Sequence, residues 1–448
     1  MKMLQNQYDV IIIGAGPAGL MAAIESYEPH RKIAVLEKMR EPALKLKISG
    51  KGRCNITNSA ELKDFISHFG KTGRFLKFAF SEFFNAELLK YFEKLGVQFK
   101  LERGGRYFPK NDNAMEIVKA LLNKIDSLNV HISANSEVTG IKKMSDDKFT
   151  VTVNKNIPGM SKNRQRIKIK ADKVVLATGG KSYPETGSNG AGFKLAAQLG
   201  HTITPVLPSL VPVLTKGDTA SKLQGLTLKN VKVKLWCDSK KVDELFGEML
   251  FTEFGVSGPI ILSLSKTIVK HISEKKKVII SLDLKPALDH EAVDRRLLKE
   301  IDEHGKKNFK SLLKRLLPVK LIPVFTGILK ISEKKKLNQL NSEERKKLKM
   351  LLKEFPFEVT GTKSFDHAII TSGGICINEI NSRTMESKLI KGLYFAGEII
   401  DVDADTGGFN LQAAFSTGWV AGRAINSALN RADNKNLIKK YGKVYSHR

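Results

Sequence analysis

A chain of 448 residues with 42% hydrophobic and 27% charged residues has room for two or three domains and the composition of a folded protein rather than a disordered one. Three scattered cysteines without a Cys-x-x-Cys exclude a disulfide framework and fit a reducing compartment, and nine histidines without ligand spacing leave no metal motif. The net charge of +29 fits nucleic acid, anionic membrane or acidic small molecules as partners, but the lysines are densest in helical-looking runs (Ser332–Lys336, Glu343–Lys349), so a solvated basic surface is expected and nucleic acid is not.

The apolar run VIIIGAG, from Val10, is too short for a bilayer span or a signal core, so a soluble cytoplasmic protein without a membrane partner is expected; the oligomeric state is left open. Residues 8–40 predict strand, glycine turn, helix and strand, the first strand apolar on both faces as in a covered parallel sheet. Residues 80–130 predict helices around a short polar segment, GGRYFPKND. Three strands then follow, in VHISANSEVTGIKK, KFTVTVN and RIKIKADKVVLATGG, and a helix in GAGFKLAAQLGH.

From Thr202 short alternating strands predict an antiparallel barrel or sheet, and Pro286 to about Phe355 is helical and lysine-rich. The α/β texture returns after Lys363. The expected class is therefore α/β with a doubly interrupted architecture: 1–201 with 364–448, a β unit at 202–285 with 355–363, and a helical insert at 286–354.

The sharpest motif is Gly14-x-Gly16-x-x-Gly19 between a strand and a helix. Gly14 allows the turn, Gly16 the approach of a pyrophosphate, and Gly19 close packing of helix on strand. Glu37 ends the next strand, about 20 residues on, where a carboxylate accepts from an adenosine ribose. VVLATGG brings Thr178 and Gly179 past a bound cofactor. LYFAGE ends at Gly397-Glu398, and Gly407-Gly408 open a further helix whose N-terminus suits the charge a flavin gains with a hydride. Asp401, Asp403 and Asp405 imitate a calcium loop, but Thr406 and Gln412 stand where that loop needs Gly and Glu. No second GxGxxG lies in strand–helix context. A nicotinamide donor must then bind transiently, or oxygen must serve as acceptor.

GAGPAGLMAA, KLKISGKGRCNITN, GGRYFP, LATGGKSYPETGSNGAGFKLAAQLGH, GEMLFTEFGVSGP and the run from TMESKLIKGLYFAGE to FSTGWVAG together resemble the HI0933-like (YhiN/BaiN-type) bacterial FAD-dependent oxidoreductases, in order from Tyr8 to Gly422. The ATGG segment also resembles the fumarate-reductase flavoproteins. The resemblance implies a Rossmann-like FAD-binding domain with an inserted antiparallel β-barrel-like domain and a small helical domain. It implies that Gly14, Ala15, Gly16, Pro17, Ala18, Gly19, Glu37 and Lys38 hold the adenosine diphosphate. By the same resemblance Ser49, Gly50, Gly52, Arg53, Cys54 and Asn55 line the flavin side, Val138 meets adenine, and Gly397, Glu398, Asn410, Leu411 and Gln412 hold the ribityl chain and ring. FAD is expected to be non-covalent, and Arg53→Ala or Gly52→Leu to give a folded, colourless protein.

Members of this family resemble reducers of carbon–carbon double bonds in 3-oxo bile acids and an oxidase of aminoacetone that makes hydrogen peroxide. An NAD(P)H-linked reductase of a small enone-like substrate is the leading expectation, the small-amine oxidase the second, and a flavoprotein bound to RNA the third. Tyr107, Tyr183, Glu253 and His367 are catalytic candidates by motif placement alone, each more readily structural.

Overall fold

The computed structural model describes residues 4–156 and 164–442. The chain divides into two compact units, one of the residues up to Leu207 together with those from Ile370 onward, the other of Pro208–Ile369.

The first unit is built on a sheet whose centre is β1 (Gln7–Ile13), with Val10, Ile11 and Ile12 wholly buried. After the glycine turn comes helix α1 (Pro17–Glu25), with Pro17 pre-set for the first helical position. β2 (Ile33–Leu36) pairs in parallel with β1, and β3 (His131–Ser133) in parallel with β2. β4 (Ser136–Lys143), β5 (Phe149–Asn156) and β6 (Arg164–Leu176) form an antiparallel meander. The long β6 does two jobs. Its first half pairs with β5, and its second half runs parallel to both β1 and β7 (Leu393–Phe395).

Helix α2 (Phe409–Gly442) lies against α1 at very short range. A Cβ on Gly418 would stand 2.3 Å from the Ala18 carbonyl oxygen, and one on Gly422 would stand 2.7 Å from that of Ala22. Small residues on both helices thus let the backbones touch. The expected helices of residues 80–130 flank a small sheet instead of a polar loop. Phe99–Glu102, Arg106–Pro109 and Thr57–Asn58 pair antiparallel, because Arg106 and Tyr107 find long-range partners in Asn58 and Thr57 that no local pattern announces.

The second unit holds a closed barrel of the strands Val213–Thr215, Gly255–Ser257, Lys240–Thr252, Thr227–Cys237, Val278–Asp283 and Phe355–Thr362. The helices His290–His304, Phe309–Leu316, Leu321–Leu329 and Ser342–Lys353 share one hydrophobic core with the barrel. That seam contains a buried ion pair, Lys353 Nζ to Asp283 Oδ2 at 2.6 Å, with Lys353 also donating to the Lys285 and Leu288 carbonyls. Among the described residues no helix is long and apolar enough to cross a membrane.

Candidate functional site

β1 ends at Ile13 and turns through Gly14, whose φ of +103° and whose Cβ position 2.5 Å from the Ala177 carbonyl oxygen admit only glycine. A Cβ on Gly19 would come within 2.0 Å of the Gly14 carbonyl oxygen. Over Gly16, by contrast, no heavy atom lies within 4 Å of that position. No side chain caps α1, so its first N–H groups keep their donor capacity and positive dipole end.

The carboxylate of Glu37 is buried at the end of β2. Its Oε2 accepts from the Ala15 N–H and its Oε1 from the Met39 N–H, both at 2.9 Å. Each oxygen retains a lone pair for another donor. Burial pushes this carboxyl above the ordinary range, and the backbone N–H groups and Lys38 only partly offset it. An acidic acceptor with spare capacity, an uncapped helix start and open space above Gly16 are what the adenosine diphosphate half of FAD requires, so these residues fit the group. Val138 is buried on β4.

Beyond β6, Gly179 and Gly180 lead into a polar knot. Lys45 Nζ lies 2.8 Å from Glu398 Oε2 and 2.6 Å from Ser182 Oγ. Ser182 Oγ donates to Glu398 Oε1 at 2.9 Å, and the Thr371 N–H reaches the same oxygen at 2.7 Å. Thr371 Oγ1 accepts from the Lys181 N–H. Burial would raise the Glu398 carboxyl, but the Lys45 charge and these hydrogen bonds hold it below the usual range. A Cβ on Gly180 would collide with Thr371 Oγ1 at 2.3 Å, so the knot closes only over glycine.

The stretch Lys45 to Asn58 is not the featureless loop its composition suggests. It opens as a short helix, Leu44–Ile48, and then passes through left-handed backbone at Gly50, Lys51, Gly52 and Cys54. Lys51 and Cys54 are not glycine, and such conformations cost on the order of 1–2 kcal/mol each unless surroundings hold them. The Arg53 guanidinium donates to Asp112 at 2.7 Å and to Glu102, and lies 4.1 Å from the Phe108 ring centre. It clamps the loop to the small sheet, which differs from the expected role as a phosphate or ring donor. Cys54 is fully buried and its thiol is pushed up to about 12 by burial, so it is a packed thiol rather than a nucleophile. Asn55 Oδ1 and Thr178 Oγ1 are buried without a partner among the described residues.

α2 begins after Gly407 and Gly408, and a Cβ on Gly408 would meet the Thr57 carbonyl oxygen at 2.5 Å. The Asn410 amide staples the preceding loop: it accepts from the Ala404 N–H and donates to the Ala404 carbonyl, both at 2.9 Å. Gln412 is wholly buried, accepting from Thr57 at 2.6 Å and donating to Phe83 and Ser416, so its amide is spent inside the core. His68 stacks on Phe409 at 3.9 Å and pairs with Asp405 at 3.1 Å. Among the described residues no group of His, Cys, Asp and Glu could hold a metal ion.

Of the catalytic candidates, Tyr107 (on the small sheet) and Tyr183 belong to the first unit. Tyr183 sits beside Ser182 in a left-handed conformation, φ 52°. Glu253 lies in an exposed turn before Gly255–Ser257 and His367 in another exposed turn, both in the second unit. The residues that sequence reasoning missed are Lys45, Ser182 and Thr371. Lys45 reaches Ser182 and Glu398 over 137 and 353 residues, and Ser182 reaches Glu398 over 216. Thr371, though only 27 residues before Glu398, also accepts from Lys181 190 residues away; no local motif signals such contacts.

A family model described as the HI0933-like protein Rossmann domain matches residues 8–424. The chain belongs to this family. An HI0933-like relative from Clostridium scindens, a 3-dehydro-bile acid delta(4,6)-reductase, is 31% identical over 415 residues, 92% of this chain and 98% of its own. A ribosomal RNA dihydrouridine synthase of Escherichia coli is 30% identical over 94% of this chain and 99% of its own. Among solved structures, a flavocytochrome c3 fumarate reductase shares the fold at TM-score 0.52 and 17% identity, covering 94% of this chain and 78% of its own. A 3-ketosteroid-delta4-(5alpha)-dehydrogenase from Rhodococcus jostii RHA1 does so at 0.51 and 13%, covering 95% and 98%. As an HI0933-like protein the chain is an FAD-dependent oxidoreductase.

Proposed function

We propose that the protein takes a hydride from NAD(P)H and delivers it, through non-covalently held FAD, to a carbon–carbon double bond conjugated with a carbonyl, a proton from water completing the saturated product. The observation that carries this reading is that two curated relatives with unlike substrates are named for the same bond change. A 3-oxo steroid skeleton with unsaturation at positions 4 and 6 is an enone, and the 5,6 bond of uracil is conjugated with its 4-carbonyl. FAD, when bound, supplies the reversible uptake of the hydride.

The chain's own residues would do the rest. The start of α1 and Glu37 hold the adenosine diphosphate end. Gly397 and Glu398, fixed by Lys45, Ser182 and Thr371, set the ribityl end. The start of α2, beyond Gly407 and Gly408, offers N–H groups to the charge that builds on the ring.

The enzyme mixed anaerobically with NADH or NADPH should lose its flavin colour. It should regain that colour, still without oxygen, on addition of a 3-oxo-Δ4 steroid or a uridine-containing RNA. If neither nicotinamide bleaches it, or neither acceptor restores it, the reading fails. Fast reoxidation by air with turnover of aminoacetone would instead favour the oxidase. For the acceptor, two relatives named for ribosomal RNA favour a uracil carried in RNA, and the net charge of +29, which by itself indicates only a solvated basic surface, suits such a polyanion.

A further inference from the structure

The antiparallel meander of the first unit carries a basic face. Residues directly opposite on neighbouring strands share a face, and the registers align three rows. Lys142, Thr150 and Lys170 make one row, Gly140, Thr152 and Lys168 the next, and Glu137, Asn154 and Arg166 the third. The alternate residues Val151, Val153 and Ile169 point into the core, so the rows point away from it. Lys142, Arg166, Lys168 and Lys170 are exposed, and among the described residues none of the four has a carboxylate partner.

The acidic groups near this face are otherwise occupied. Glu137 acts on Lys38 at the adenosine end, Asp172 pairs with Lys148 at 3.2 Å, and Asp147 of the β4–β5 turn pairs with Lys143 at 3.6 Å. In the lysine-rich helices of the second unit some cations are matched, Lys310 by Glu333 and Lys335 by Glu344, while Lys306, Lys314 and Lys334 have no carboxylate partner among the described residues. What distinguishes β6 is that its unpaired cations, Arg166, Lys168 and Lys170, recur at alternate positions on one face of one strand.

We propose that this face docks the phosphate backbone of the substrate RNA, an inference that rests on the RNA arm of the proposed function. Arg166, Lys168 and Lys170 recur every second residue, about 6.6 Å apart along the strand. Thr150, Thr152 and Asn154 add neutral donors beside them. The rows hold no aromatic side chain on which a base could stack, so the face positions the strand without reading its sequence. The same β6 ends at the ATGG turn of the candidate site, some 40 Å of extended strand from Arg166 to Thr178.

The test compares RNA binding by the FAD-loaded wild type with that of Arg166→Glu/Lys168→Glu/Lys170→Glu. The probe is a uridine-containing RNA hairpin, titrated over a range of salt. The triple variant should bind at least tenfold more weakly. Its log–log salt dependence should be shallower by about 2, the loss expected for three phosphate contacts to a single strand. The corresponding glutamine triple should fall between the two. NAD(P)H bleaching and steroid-enone reduction should be unchanged, which excludes misfolding. A control, Lys306→Glu/Lys314→Glu/Lys334→Glu, should bind RNA nearly as the wild type does.

Equal weakening by both charge-reversed triples would mean diffuse attraction and overturns the face. Undiminished binding by the β6 variant overturns it while leaving the RNA reading standing. Absence of RNA binding by the wild type at low salt removes both, and leaves enone reduction to stand or fall alone. Binding of phosphatidylglycerol vesicles in place of RNA, lost in the β6 variant, would make the face a lipid-surface contact and also overturns the proposal.

Discussion

Two glycine-rich turns of the first unit invite comparison. The turn from Gly14 to Gly19 is held by close backbone contacts: Gly19 packs on Gly14, and Gly14 on Ala177 just past the end of β6. The stretch from Lys45 to Asn58 is held from outside, by Glu398, Glu102, Asp112, Tyr107 and Gln412. The first needs glycine because backbone atoms leave no room. The second needs glycine mainly for left-handed φ, since Gly52 meets only the Lys47 oxygen, at 4.0 Å. Steric necessity and conformational necessity break differently.

The largest effect is expected at Gly19. Gly19→Ala places a methyl 2.0 Å from a carbonyl oxygen that cannot move without displacing α1, so the protein should lose FAD and much of its fold. Gly52→Ala should cost only about 1–2 kcal/mol, the price of a left-handed alanine, and stay yellow. Flavin absorbance per protein with circular dichroism separates the two, and equal damage at both positions would dissolve the contrast.

Next is Lys45→Met. It removes the cation that holds Glu398 ionised and should cost about 2 kcal/mol, as for a hydrogen bond to a charged group. The Glu398 carboxyl is depressed in the folded state, so its contribution is present above the ordinary glutamate range and lost as pH falls through that depressed value. Melting temperatures followed from pH 7 to pH 3 should fall less steeply in Lys45→Met than in the wild type, and parallel curves would exclude the coupling.

Arg53→Ala should be milder. With the guanidinium committed to Glu102 and Asp112, the variant should fold and bind FAD when FAD is in excess, but release it faster through a loosened loop. Flavin content before and after desalting reads this out. A colourless variant even in excess FAD would restore the direct cofactor contact expected from sequence.

The smallest effect concerns Glu25 at the end of α1, whose carboxyl is pushed up to about 7 by burial, with Arg423 and Lys124 offsetting only part. Here the folded state binds the proton more tightly than the unfolded chain. The stability from this group is therefore complete below the ordinary carboxyl range and lost as pH rises through about 7. Glu25→Gln should raise the melting temperature at pH 8 and leave it unchanged near pH 4. No difference at pH 8 would show that Arg423 and Lys124 fully compensate.

Much of the first unit was legible because its signals are local. Apolar Val10–Ile13, the spaced glycines and Glu37 lie within one strand–helix–strand unit, and their packing repeats the spacing. The small sheet at Phe99–Pro109 was not, because its strands are short and take their order from Thr57–Asn58 across the chain. The helices after Pro286 were foreseen as helices, but not as part of the barrel's own core, since leucine periodicity says which face is buried and not against what.

By itself, then, the sequence determined the dinucleotide turn, the family and the oxidoreductase class, because each is read from short contiguous motifs and their order, without knowledge of which distant residues meet. Tertiary structure decided the rest of the site. It joined Lys45 to Glu398 and Thr57 to Gln412, turned Arg53 toward Glu102 and Asp112, and lined up the basic rows of β4, β5 and β6. These pairings are chosen by burial and strand register over hundreds of residues, and no local pattern of residue types encodes which distant partner will arrive.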